Sequence, residues 1–360
     1  MAFPAKVGEA IGDEVGRALR EELDSRDILS WTGFLSRGVD AFFMSWARVG
    51  PEDLWVPAKP SGFWRIAESR LAATYARPKG YRVVSIRSIR SYRFGKFSLY
   101  CRPPKLGVEE VAWFGFETDD AFLGGVAHFR FYGPDGRLSC YLGTLHALHS
   151  VDVTGLLPSD YRETDREYWV AVTRNVVEWG VDDRLLAVGV AAPNLRACTT
   201  NGPPYAILTV PYRLNTAMRT VLDIENHHDY MERETVWEVS QWGFRVIEGS
   251  EVMPAVYRLY ESGTWNTFAG RTVESGSLAS HPIPIFGYAG KTIYFQADKA
   301  GTLGLEVLTQ SGNWREYDSV QVSAGKLLSY NIEVEGVLAR IVFTPSVYPC
   351  TVDEGEAVLR

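Results

Sequence analysis

Val111-Ala112-Trp113-Phe114-Gly115-Phe116-Glu117 is the stretch on which the fold turns. A short run of aromatic and β-branched residues announces a strand, and side chains along a strand alternate between its two faces. Trp113, Gly115 and Glu117 therefore share one face, and Phe114 and Phe116 share the other. The phenylalanine face is suited to a core. The tryptophan–glycine–glutamate face is suited to a groove. Segments of the same kind lie at 94–100, 168–172 and 176–183, each bounded by Gly, Pro, Asn or Asp.

Outward from there, strand signatures recur at 63–67, 70–75, 81–91, 93–101, 110–117, 125–132, 137–142, 150–153, 166–173, 176–182, 185–190, 206–211, 218–225 and 236–247. Arg77-Pro78-Lys79-Gly80, Gly133-Pro134-Asp135-Gly136 and Asn201-Gly202-Pro203-Pro204 mark turns between them. Many short strands with no intervening helical pattern imply an all-β sandwich or jelly roll. Before them, Val7, Ile11, Val15, Ala18, Leu19 and Leu23 recur at helical spacing and predict a short amphipathic helix over 7–24. Such a helix either caps a sandwich or pairs subunits into a homo-oligomer. Residues 28–62 read as an aromatic-rich lead-in and 251–275 as a connector. A second β unit has strands at 291–297, 302–309, 314–322, 326–333 and 338–344. The expected domains are 1–62, 63–250, 251–275 and 276–360.

Composition narrows the function classes. A chain of 360 residues with 46% hydrophobic content is long enough for two domains and is not disordered. A net charge of −7 argues against a nucleic-acid partner. No apolar run approaches the roughly 20 residues of a membrane span. The first residues lack the apolar segment of a secretion signal, so the expected location is the cytoplasm or an assembled virion. Cys101, Cys140, Cys198 and Cys350 form no Cys-x-x-Cys pair, which points to buried free thiols, with a Cys101–Cys140 bridge as the alternative. No nucleotide-binding or serine-hydrolase motif is present.

Ser91-Tyr92-Arg93-Phe94-Gly95-Lys96-Phe97-Ser98-Leu99-Tyr100, Trp113-Phe114-Gly115-Phe116-Glu117, Tyr168-Trp169-Val170-Ala171-Val172 with Val177-Glu178-Trp179-Gly180-Val181-Asp182-Asp183, and Trp242-Gly243-Phe244-Arg245-Val246 follow one another in an order that resembles concanavalin-like jelly rolls. These include family 16 glycoside hydrolases and laminin-G-type modules. The resemblance covers about half of the chain and implies the jelly-roll fold, which hosts lectins, hydrolases and adhesion modules alike. Asp298-Lys299-Ala300-Gly301-Thr302-Leu303-Gly304-Leu305-Glu306-Val307 and Ser311-Gly312-Asn313-Trp314 resemble small sandwich modules on phage and archaeal-virus surface proteins.

The family 16 resemblance implies carboxylates at alternate positions of one concave strand, as Glu-x-Asp-x-x-Glu or Glu-x-Asp-x-Glu. A retaining mechanism needs a nucleophile and an acid about 5–5.5 Å apart. Glu117-Thr118-Asp119-Asp120-Ala121-Phe122 supplies Glu117 and Asp119, but Ala121 or Phe122 stands where the third carboxylate would be. A second row, within Arg219-Thr220-Val221-Leu222-Asp223-Ile224-Glu225-Asn226-His227, puts Val221, Asp223, Glu225 and His227 on one face. Asp223 and Glu225 could pair as acid and nucleophile, or hold a metal with His227. The simpler reading is that they are structural or solubilising charges, of the kind that discourage strand aggregation. His146 and His149 form a His-x-x-His pair with no further ligand in view. Asp119, Asp120 and Asp135 make calcium the conceivable cation, and no other cofactor is expected.

The expectation is thus an all-β protein: a concanavalin-like jelly-roll β-sandwich plus a smaller C-terminal β-sandwich. Trp113, Glu117, Asp119, Asp223, Glu225 and His227 are the expected ligand-binding residues. The incomplete carboxylate set favours a non-catalytic carbohydrate-binding or adhesion protein, at a virion surface, whose partner is a glycan or cell-surface polysaccharide. The alternative is a glycoside hydrolase or polysaccharide lyase acting on a β-linked polysaccharide, with Glu117, Asp223 or Glu225 as catalytic carboxylates.

Overall fold

The computed structural model describes the strand backbones at 41–45, 55–60, 62–67, 70–75 and 82–88, and then 93–360 except 109, 119–124, 145–146, 174–175, 193, 212–216, 227–236, 238, 247–254 and 310. The helix expected over 7–24 and the residues Asp119, Asp120, His146 and His227 lie outside the described residues. Two compact units emerge. One gathers described residues within Met1–Val172, Glu178–Arg184 and Asn215–Gly249, the other those within Thr173–Val177, Leu185–Leu214 and Ser250–Arg360. Among the described residues no helix is long and apolar enough to cross a membrane.

Along the chain run β1 (Ala41–Ser45), β2 (Trp55–Pro60), β3 (Gly62–Ala67), β4 (Arg70–Tyr75), β5 (Arg82–Ser88), β6 (Gly95–Cys101), β7 (Glu110–Glu117), β8 (Val126–Tyr132), β9 (Leu138–Thr144), β10 (Ala147–Asp152), β11 (Arg166–Val172), β12 (Val176–Val181), β13 (Arg184–Ala191), β14 (Cys198–Thr200), β15 (Ala206–Val210), β16 (Arg219–Asn226) and β17 (Val239–Val246). In the first unit β12, β11, β6, β17, β4 and β3 lie side by side in one sheet, with β1 also on β17. The facing sheet is ordered β10-β9-β8-β7-β16-β5-β2. Together they make the jelly-roll sandwich that the alternation of β7 predicts.

The core between these sheets is aromatic. Phe97 of β6 meets Phe114 and Phe116 of β7 edge-on, with ring centroids 5.7 and 6.3 Å apart. Phe131 of β8 meets Tyr168 of β11 at 5.3 Å and Trp237 at 5.9 Å. All of these rings are buried. Each contributes about 1.5–3 kcal/mol relative to exposure, which ties the inward face of β7 to the opposite sheet.

Close backbone approach also matters. Gly115 adopts φ +148°, and a Cβ there would stand 2.1 Å from the Ala127 carbonyl oxygen of β8. The β12–β13 turn is fixed by Asp182, at φ 54°. Its carboxylate takes the Arg166 guanidinium at 2.5 Å and the Glu167 N–H at 3.1 Å, while the Trp169 indole N–H donates to its carbonyl at 2.9 Å. Arg166 also reaches Asp160 at 2.5 Å.

In the second unit β14 pairs antiparallel and β13 parallel with β15. The chain then continues through β18 (Ala255–Arg258), β19 (Thr272–Val273), β20 (Leu278–Ala279), β21 (Ile283–Pro284), β22 (Lys291–Ala297), β23 (Gly301–Leu308), β24 (Trp314–Val322), β25 (Leu328–Asn331), β26 (Leu338–Pro345) and β27 (Cys350–Leu359). One sheet is ordered β18-β27-β22-β25 and the other β20-β26-β23-β24, forming the smaller sandwich. Phe295 packs on Phe343 at 4.7 Å and on Phe268 at 6.4 Å in its core. The sequence reading lacks β27 because Asp353-Glu354-Gly355-Glu356 interrupts its alternation. The pairing with β22 absorbs that interruption as a register shift between Gln296 and Ala297.

All four cysteines are free, so the Cys101–Cys140 bridge is not formed. Cys101, Cys140 and Cys350 are buried as expected. Cys198 instead is exposed on β14, its Sγ 2.9 Å from the Thr209 hydroxyl. His281 is 4% exposed, edge-on to the Tyr205 ring at 4.7 Å, and its Nε2 has no hydrogen-bond partner among the described residues. Burial lowers its pKa to about 4, opposed by a hydrogen bond with the Tyr205 main chain.

Gly115→Ala is expected to cost at least about 2 kcal/mol in chemical denaturation, because the new methyl meets backbone rather than a side chain able to rotate away. His281 generates a second expectation. Its folded pKa lies below the unfolded value, so the unfolded chain binds the extra proton. Its contribution is full above pH 6.5 and falls as pH drops toward 4. Denaturation between pH 7 and 4 should show a loss of up to about 3 kcal/mol. His281→Phe should flatten that part of the profile.

Candidate active site

The face of the seven-stranded sheet turned away from the phenylalanine core is set by register. Trp113 lies opposite Asp223 of β16 on one side and Arg130 of β8 on the other. One row along, Gly115 lies between Val221 and His128. Glu225 and Tyr132 flank Val111, and Arg219 lies opposite Glu117. On β9, Tyr141 stands opposite His128 and Ser139 opposite Arg130. Carboxylates thus gather on β16, and aromatic and basic side chains on β8 and β9.

The second group is a stacked ladder. Trp113 lies on His128 with centroids 4.2 Å apart. The Arg130 guanidinium stands 4.4 Å from the Tyr141 ring and 5.6 Å from the Trp113 ring. The Tyr132 and Tyr141 hydroxyls hydrogen-bond each other, and Arg137 covers Tyr132 at 4.7 Å. Burial, reinforced by that hydroxyl contact, raises the Tyr132 pKa well above the ordinary phenol value. Tyr132 is therefore protonated at any working pH and serves as a hydrogen-bonding group.

Asp223 is 0% exposed, His128 1%, Trp113 5% and Glu117 7%. Glu225, Arg130, Tyr132 and Tyr141 are half-buried and form the more open part of the face. Trp113 is thus a clamped ring between His128 and Arg130 rather than a bare platform. Asp223 and Glu225 are two residues apart on one face, a Cα separation of about 6.7 Å. Glu117 pairs with Arg219, four residues before Asp223, which places it about 14 Å along the strands from Asp223.

Asp135 is exposed in its turn, where its Oδ1 accepts the Arg137 N–H at 3.3 Å. His149 is half-buried on β10. Among the described residues no three His, Cys, Asp or Glu side chains gather to hold a metal ion. His128, Arg130 and Tyr141 are absent from the expected set. The signal for the first two was present, since His128, Arg130 and Tyr132 alternate with Phe129 and Phe131 along β8. Tyr141 becomes visible only through the β8–β9 register.

No family model and no curated protein matches the chain. Among solved structures it is similar to an apo Crh5 transglycosylase at 15% identity, with a TM-score of 0.43 over 58% of this chain and 85% of that one. It is similar to Bacillus licheniformis β-glucanase at 12% identity, with a TM-score of 0.43 over 58% and 99% of the two chains. A laminarinase catalytic domain from Thermotoga maritima follows at 10% identity and a TM-score of 0.41, over 57% and 98%. These are enzymes by name. The expectation of a non-catalytic carbohydrate-binding or adhesion protein is corrected by this finding.

Trp113→Ala removes a ring packed on both sides and should cost about 3–5 kcal/mol, read as a lowered denaturation midpoint.

Proposed function

We propose that this chain is a glycoside hydrolase acting on a β-linked polysaccharide, with Asp223 and Glu225 as its carboxylate pair. The observation that carries the reading is their placement at alternate positions of β16, on the face turned from the core, with Asp223 directly across from Trp113. Side chains rooted about 6.7 Å apart can close to the 5–5.5 Å that retention requires. Asp223 then attacks the anomeric carbon, while Glu225 gives its proton to the departing glycosidic oxygen. Glu225 next takes a proton from water, whose oxygen displaces Asp223 from the sugar. The half-buried Glu225 marks the side from which the polymer enters.

The test is release of reducing ends from a panel of β-linked glucans, galactans and uronans. Glu225→Gln and Asp223→Asn should each lower kcat by about 10²–10⁴-fold. Glu117→Gln, about 14 Å from the pair, should leave kcat unchanged. Loss of activity on Glu117→Gln with Glu225→Gln still active would overturn the assignment, as would a wild-type chain inert on every polymer.

A further inference from the structure

We infer that the polymer is anionic and that Arg130 holds its carboxylate or sulfate group in a subsite beside the carboxylate pair; this rests on the hydrolase reading of Asp223 and Glu225. The Arg130 guanidinium is held between the Tyr141 and Trp113 rings, so its plane is already oriented. Its Nε is buried and has no hydrogen-bond partner among the described residues, while the guanidinium also interacts with the Tyr132 hydroxyl. No carboxylate pairs with it there either. A buried donor of a charged group left without an acceptor is costly, so this guanidinium favours a ligand that brings one. A guanidinium fork fits a carboxylate or sulfate through two parallel hydrogen bonds, which an ammonium cannot reproduce.

The layout of charge agrees. Asp223 and Arg130 flank Trp113 on either side of β7, two strand spacings or about 9.6 Å apart. A sugar chain crossing the strands would bring its scissile bond over β16 and a charged substituent over β8. The Ser139 hydroxyl and the Tyr141 ring complete the wall around that substituent. Asp152 ends the same row beyond Ser139, but it is exposed and its Oδ1 already accepts the Thr154 N–H at 2.8 Å. Arg137, over Tyr132, adds a second positive charge on the β8 side.

Titration calorimetry with the Glu225→Gln chain tests this apart from cleavage. The probes are a neutral β-glucan oligosaccharide, a β-linked uronate oligosaccharide and a sulfated galactan oligosaccharide of equal length. At least one anionic probe should bind at least about tenfold tighter than the neutral one, and the better of the two identifies the group. Adding Arg130→Gln should abolish that preference. If the Arg130→Gln chain does not fold, Arg130→Lys, which keeps the charge and loses the fork, must itself lose the preference. A neutral probe bound as tightly as both anionic ones, a preference that survives Arg130→Lys, or no binding by any probe would overturn the inference. Reducing-end release by the wild-type chain from a neutral polymer would then leave the hydrolase reading standing alone.

Discussion

Burial of Phe114 and Phe116 against Phe97 governs everything on the other side of β7. A strand offers only two faces, so once the phenylalanines are committed inward, Trp113, Gly115 and Glu117 have no choice of direction. Antiparallel pairing carries that decision sideways to β8 and β16, where His128 and Arg130, Asp223 and Glu225 inherit the same face. The apolar contacts thereby position polar groups that they never touch.

That polar face is built with little slack. Gly115 lets β7 and β8 approach closely, and the indole of Trp113 is held by an imidazole below and a guanidinium beside it. Rings stacked in this way lose few degrees of freedom when a ligand arrives, which lowers the entropic cost of recognition. The tyrosine hydroxyl pair extends the same order to the neighbouring strand.

Most of the fold was legible in the sequence because its strands are short, aromatic and punctuated by turn residues. The expected segments at 70–75, 110–117 and 291–297 coincide with β4, β7 and β22. Failures came where alternation is broken or too brief: β27 hides behind its acidic centre, and β14 spans only Cys198–Thr200. At the candidate site, the common face of Trp113, Asp223 and Glu225 follows from period two alone. The spacing between Glu117 and Asp223, and the place of Tyr141, depend on how distant segments align across the sheet. No local pattern encodes that alignment.

Cys198 has a practical consequence of its own. It is the one exposed thiol of four, and it sits on an edge strand of the second unit, away from the first unit's polar face in sequence. A maleimide dye should therefore attach at a single position without any engineering of the chain. The protein carries its own handle for fluorescence or surface tethering, with the catalytic candidates left chemically untouched.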